Sequence, residues 1–181
     1  MILYSYNECI NKFGSKYLVK KTVSDGIIFK LEKGIYSDTK YVSEKNIISK
    51  KYPDAIYTME SAFYYHNLSD VIPEKYYLAT DRDAAKIKDN RIVQIFEKKD
   101  LLCMGAITLD YEGYPIRIYN KERLLVELLR HKSKISFDYY KEVLLNFREI
   151  IYDLDIRTIQ EYAEKVPKST KIMQTLQLEV L

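Results

Sequence analysis

The fold of this chain turns on one stretch: Gly14-Ser15-Lys16-Tyr17-Leu18-Val19-Lys20-Lys21-Thr22-Val23-Ser24-Asp25-Gly26, followed by Ile27-Ile28-Phe29-Lys30-Leu31-Glu32-Lys33-Gly34-Ile35-Tyr36. Gly14 can end one helix, and Ser15 is a good N-cap for the next. A helix from Lys16 to about Ser24 puts Leu18, Val19, Thr22 and Val23 on one side. Tyr17, Lys20, Lys21 and Ser24 fall on the other, with Lys16 at its edge. Asp25-Gly26 stops it. Ile27 to Leu31 reads as a strand, Glu32-Lys33-Gly34 as a turn, and Ile35-Tyr36 as the start of a returning strand. Helix, tight turn, basic helix and hairpin is the order of a winged helix-turn-helix. Its second helix enters the major groove and its hairpin lies along the backbone.

Upstream, Tyr6, Cys9, Ile10 and Phe13 have the i, i+3, i+4, i+7 spacing of a first helix with one apolar face. A full winged helix has one more helix before this pair, so the predicted head is truncated. Either Met1–Ser5 and the second domain cover the missing side, or the head is degraded and binds DNA weakly. Charge marks a candidate binding face here. Residues 1–40 hold seven lysines against four carboxylates, which accounts for the whole net charge of +3, while the remaining residues balance. A basic patch on an otherwise neutral protein suits an anion such as DNA phosphate, or else is only a solvated lysine face. Ser15, Lys16, Tyr17, Lys20 and Lys21 on the second helix, with Lys30 and Lys33 on the hairpin, are the candidate DNA-binding residues.

The polar run from Lys40 to Lys45 places a domain boundary after residue 40, with a second domain over 41–181. Helices are expected over about 43–51 and 58–67, and strands at 55–57, 76–79 and 91–96. Ile107, Leu109 and Tyr111 alternate with polar residues, as do Ile116 and Ile118. With Glu112-Gly113 between them, these runs predict a hairpin with one buried face. Four apolar stripes predict helices in the C-terminal half: Leu124/Leu125/Leu128/Leu129, Phe137/Tyr140/Leu144/Phe147/Ile151, Ile156/Ile159/Ala163/Val166, and, after Pro167, Ile172/Met173/Leu176.

Several function classes recede. No run of about 18 apolar residues exists to cross a membrane, and Met1–Tyr6 lacks the features of a secretion signal. Cys9 and Cys103 make no disulfide framework, which fits a reducing cytosol. With two histidines, His66 and His131, a zinc site is improbable. His66 reads as a structural residue at a helix end and His131 as exposed. Gly14-Ser15 and Asp81-Arg82-Asp83 together suggest a nucleotidyltransferase metal site, but more than sixty residues separate two features that stand close in that fold. The 18 tyrosines, with no tryptophan, read as compositional bias rather than a stacking surface.

The segment Ser15–Gly26 followed by Phe29–Tyr36 resembles the DNA-binding head of AbiEi-family antitoxins. Ala55–Ala62, with Tyr65–Asp70 and Ile72-Pro73, is similar to that family's central signature: a strand, a Ser-Ala-bearing helix, a His-x-Leu-Thr/Ser turn and an Ile-Pro. Gly113–Tyr119 and the helix from Glu122 to Arg130 resemble its downstream hairpin and helix. The resemblance implies autorepression through inverted repeats upstream of the operon. It also implies counteraction of a nucleotidyltransferase-like toxin encoded alongside, without a stable complex, in abortive phage infection.

The expectation is therefore an α+β chain: a truncated winged helix over 1–40, then a mixed-sheet domain with a helical C-terminal half. Double-stranded DNA is the expected partner, with no membrane, no catalytic residues, no metal, no cofactor and a cytoplasmic location. A plain DNA-binding regulator and a protein-interaction module with a degenerate head remain as alternatives, with an enzyme of unknown chemistry behind them.

Overall fold

Ser5 and Glu8 start the first helix as a reciprocal capping box. Ser5 Oγ accepts the Glu8 N–H at 3.3 Å, and Glu8 Oε2 accepts the Ser5 N–H at 2.6 Å. The computed structural model describes residues 1–181 in two compact units, Met1–Asp54 and Ala55–Leu181. The first unit contains β1 (Leu3–Ser5), α1 (Tyr6–Phe13), α2 (Lys16–Ser24), β2 (Phe29–Glu32), β3 (Ile35–Ser37) and α3 (Glu44–Lys51). Its three strands are antiparallel in the order β1-β3-β2. Tyr4, Cys9, Val19, Ile28 and Tyr36 form the core, and Tyr6, Ile10, Phe13 and Val23 pack around it. The stripe read on the first helix is thus the buried one.

Three features of this unit differ from the sequence reading. Leu3–Ser5, unassigned above, is a strand paired with β3 from Leu3–Ser37 to Ser5–Ile35. The strand expected from Ile27 begins at Phe29, because the Ile27 and Ile28 N–H groups both turn back to the Thr22 carbonyl. Ile27 is left exposed. The boundary falls at Asp54 rather than residue 40. Pleating turns Leu3, Ile35 and Ser37 away from the Tyr4–Tyr36 face, yet all three are buried. α3 packs on β1 and β3, buries Ile48 completely and is tied back through Lys50–Glu8 at 2.7 Å and Lys51–Glu32 at 3.1 Å. The polar run that reads as a linker is a loop inside the unit.

The second unit contains β4 (Ile56–Tyr57), α4 (Met59–Tyr65), β5 (Tyr76–Asp81), β6 (Ile92–Glu97), α5 (Lys99–Leu102), β7 (Ala106–Tyr111) and β8 (Tyr114–Tyr119). α6 (Lys121–Arg130), α7 (Phe137–Ile150), α8 (Ile156–Lys165), α9 (Ser169–Thr175) and a π-type turn (Leu176–Val180) follow. The sheet is mixed, in the order β6-β5-β4-β8-β7. β4–β8 and β5–β6 are parallel, while β4–β5 and β7–β8 are antiparallel. α6 is its central helix. Arg123 to Leu129 are all buried, and the helix packs against α4, α7, α8 and α9. The chain is α+β, with a mixed sheet and a helical C-terminal half.

The β7–β8 hairpin forms where expected, but only half of its predicted inner face is covered. Ile116 and Ile118 are buried, whereas Ile107 is exposed, since β7 is an edge strand. Phe137, assigned to the buried stripe of α7, is exposed at the first residue of that helix, and the covered stripe starts at Tyr140. No helix is long and apolar enough to cross a membrane.

Candidate nucleic-acid interface

The turn between α1 and α2 is built from two residues. Gly14 takes φ +97° and donates its N–H to the Ile10 carbonyl, ending α1 in a conformation that side chains disfavour. Ser15 Oγ then accepts the Leu18 N–H at 3.2 Å, capping α2. Val19 anchors α2 as its buried residue. Lys16, Tyr17, Lys20 and Lys21 are exposed, and Tyr17 keeps 73% of its surface open. Leu18, expected inward, is also exposed and borders Gly14.

Lys30 on β2 and Lys33 in the β2–β3 turn are exposed as well. The register of this hairpin shifts between Lys30 and Glu32, a bulge that bends the strand and re-aims its side chains. Other lysines of the unit are engaged: Lys12 donates to the Tyr4 hydroxyl and lies over its ring, and Lys50 and Lys51 form the ion pairs above. Lys16, Lys20, Lys21, Lys30 and Lys33, on α2 and the hairpin, have no ion-pair partner, and neither has Lys40, which lies over the Tyr41 ring in the loop after β3. Such side chains keep their charge for an external anion at little desolvation cost. The unit contains no arginine, so it lacks the planar fork that reads guanine bidentately.

No protein family matches this sequence, and no curated protein is significantly similar to it.

The second unit holds a charged cluster that the sequence reading passed over. Arg123, fully buried on α6, places Nη2 2.8 Å from Glu127 Oε1 and 3.2 Å from Glu97 Oε2. Arg130 bridges the same two carboxylates. His131, read as exposed, is largely buried, with Nε2 3.1 Å from Glu127 Oε2. Burial would raise the Glu127 pKa, but His131, Arg123 and Arg130 outweigh it and hold the value at about 2. A signal was available: the apolar residues Leu124, Leu125, Val126, Leu128 and Leu129 wrap around α6, leaving little room for solvent at residues 123 and 127.

His66 caps the C-terminus of α4, and its Nε2 lies 2.8 Å from the Tyr119 carbonyl oxygen. Burial lowers its pKa and favours the neutral ring, a structural arrangement. Asp81 Oδ1 accepts the Asp83 N–H at 2.9 Å, so the Asp-x-Asp pair closes a turn at the end of β5. Gly14-Ser15 belongs to the other unit. No group of three or more His, Cys, Asp or Glu side chains is placed to hold a metal ion. Both cysteines are free, Cys9 buried and Cys103 exposed.

Proposed function

We propose that this chain is a DNA-binding repressor and antitoxin of the AbiEi type, with the first unit as its winged-helix reader. One observation carries the DNA reading. Behind the Gly14-Ser15 turn, α2 buries Val19 while presenting Lys16, Tyr17, Lys20 and Lys21 without ion-pair partners. The order of strand, helix, turn, helix and hairpin, with β1 completing the hairpin's sheet, suits a winged helix. α2 enters the major groove, and Lys30 and Lys33 meet phosphates beside it. With lysine as the only cationic residue, phosphate contacts dominate affinity, and sequence preference is modest.

The antitoxin role rests on the resemblance of the three ordered segments. Toxin and antitoxin then act on the cell without a stable complex, and the second unit supplies the neutralising surface.

Fluorescence anisotropy tests the first part, comparing a duplex from directly upstream of the gene with an unrelated duplex. Salt-sensitive binding that prefers the upstream duplex and disappears in Lys16/Lys20/Lys21→Ala supports a repressor. Equal or absent binding of both duplexes removes that role. The second part is tested by co-expression with an adjacent nucleotidyltransferase-like gene. Restored growth supports neutralisation, and persistent toxicity rejects it.

A further inference from the structure

Two buried polar atoms in the second unit lack a hydrogen-bond partner, and both belong to residues lining one cleft: Glu60 Oε2 and Tyr139 Oη. The cleft consists of two adjoining cavities of about 580 and 430 Å³ that share Glu60, Tyr77, Lys134 and Ile135. Val93 and Ile95 on β6 and Ile135 give it apolar walls; Lys134 lines it with positive charge, while Arg130 is neutralised by Glu97 and Glu127 and Glu74 lines the second cavity. His131, which lines the same cleft, keeps its Nε2 3.1 Å from Glu127 Oε2.

Unmet polar atoms are exceptional inside a fold. Two around one volume have a common explanation in a group that enters it. The backbone supports this. Met59, immediately before Glu60, is buried at φ +47°, a left-handed conformation unfavourable for a side chain of its size. Strain of that kind persists where the surroundings over-determine it, often at ligand clamps. Burial also pushes the Glu60 carboxyl upward, although the Tyr77 hydroxyl donates to the carboxyl and partly offsets it.

The lining defines the ligand. Glu60 Oε2 requires an N–H or O–H donor. Lys134 is exposed and has no ion pair, so it suits an anionic group at the mouth. The apolar walls and the rings of Tyr77 and Tyr139 suit a flat heterocycle. A lone cation fits poorly beside the unpaired Lys134. The volume lies in the range that holds a molecule of several hundred daltons. We propose that this cleft binds a nucleotide whose base carries an exocyclic amino group, with that amine on Glu60 and the phosphate on Lys134. Uracil, which offers only a ring N–H flanked by two carbonyls, fits Glu60 less well.

The test uses the full chain in calorimetric titrations with CMP, AMP, GMP and UMP, with inorganic phosphate as a control. At least one amino-bearing nucleotide is expected to bind, with UMP and phosphate about tenfold or more weaker. Glu60→Gln should weaken that nucleotide by a similar factor, and its circular dichroism melt checks that it is folded. Lys134→Ala, at an exposed position, should weaken binding and reduce its salt dependence. Three results overturn the proposal: no nucleotide bound at millimolar concentration, which leaves water as the occupant; UMP or phosphate bound as tightly as the others; or binding unchanged in Glu60→Gln or in Lys134→Ala.

Discussion

Arg123 and Glu97 meet inside the second unit with Nη2 3.2 Å from Oε2, joining the first turn of α6 to the last residue of β6. Neither is solvated, so each depends on the other and on Glu127 for charge compensation. Removing one member of such a group leaves its partner's charge buried and unmatched. Glu127→Gln keeps the side chain's shape and should destabilise the protein by about 3 kcal/mol, read from urea unfolding followed by circular dichroism. A change below about 1 kcal/mol would mean that water already compensates the arginines.

The same group sets an acid limit. The Glu127 pKa is depressed from its ordinary 4.5 to about 2, so the native state holds this proton less tightly than the unfolded chain. Its contribution is fully present above about pH 4.5 and is lost as pH falls toward 2. Wild-type stability should fall steeply through that window, and Glu127→Gln should flatten the fall. Parallel curves for the two proteins would refute the assignment.

Gly105 is fixed by the same arginine. At φ +77°, an added Cβ would stand 2.6 Å from Arg123 Cβ and 2.8 Å from Asn120 Oδ1. Those atoms lie close to the backbone of the α6 start and cannot swing away. Gly105→Ala should therefore cost about 3 kcal/mol or more, combining backbone strain with overpacking. Gly14→Ala provides the contrast: its Cβ would meet only Leu18 Cδ1 at 3.6 Å, leaving strain of about 1 kcal/mol. Comparable losses in the two variants would contradict the close approach at Gly105.

The contrast between head and body also marks what the sequence could reveal. Gly14, Ser15 and the stripe from Tyr6 to Phe13 act on neighbours within a few residues, so α1, its stop and the start of α2 are legible locally. β1 was not, because three residues carry no usable alternation and their partners lie thirty or more positions away on β3. α3 was assigned to the wrong unit for a related reason. Its burial depends on the underside of a sheet whose first strand had not been recognised. The lysines of the candidate interface were legible because exposed charge needs no partner. The Glu97–Arg123 pair is separated by 26 positions across two elements and emerges only from tertiary packing.

His66 supplies a near-neutral prediction. Its pKa lies below the ordinary 6.5 because burial disfavours the charged ring. Between that lowered value and 6.5, the unfolded chain takes up a proton that the native state does not. Stability should thus decline as pH falls below about 6.5. His66→Gln retains a donor for the Tyr119 carbonyl and should remove this component, changing stability at pH 7.5 by no more than about 1 kcal/mol. An unchanged pH profile would place the titration elsewhere.

The proposed interface separates charge from readout, and salt distinguishes them. Each phosphate neutralised by a lysine contributes close to one unit to the slope of log affinity against log salt. Lys20→Ala, Lys21→Ala and Lys33→Ala should each lower that slope by about one while leaving the preference for the upstream duplex nearly intact. Tyr17 carries no charge, yet it is exposed near the start of α2, where side chains reach base edges. Tyr17→Ala should therefore reduce the preference between duplexes without altering the slope. Ser15→Ala, which loses the Leu18 cap, should weaken both duplexes together by loosening the helix, at a cost of about 1 kcal/mol. Anisotropy titrations at four salt concentrations read all three effects. If Tyr17→Ala changes the slope, or the lysine variants leave it unchanged, α2 does not lie in the groove.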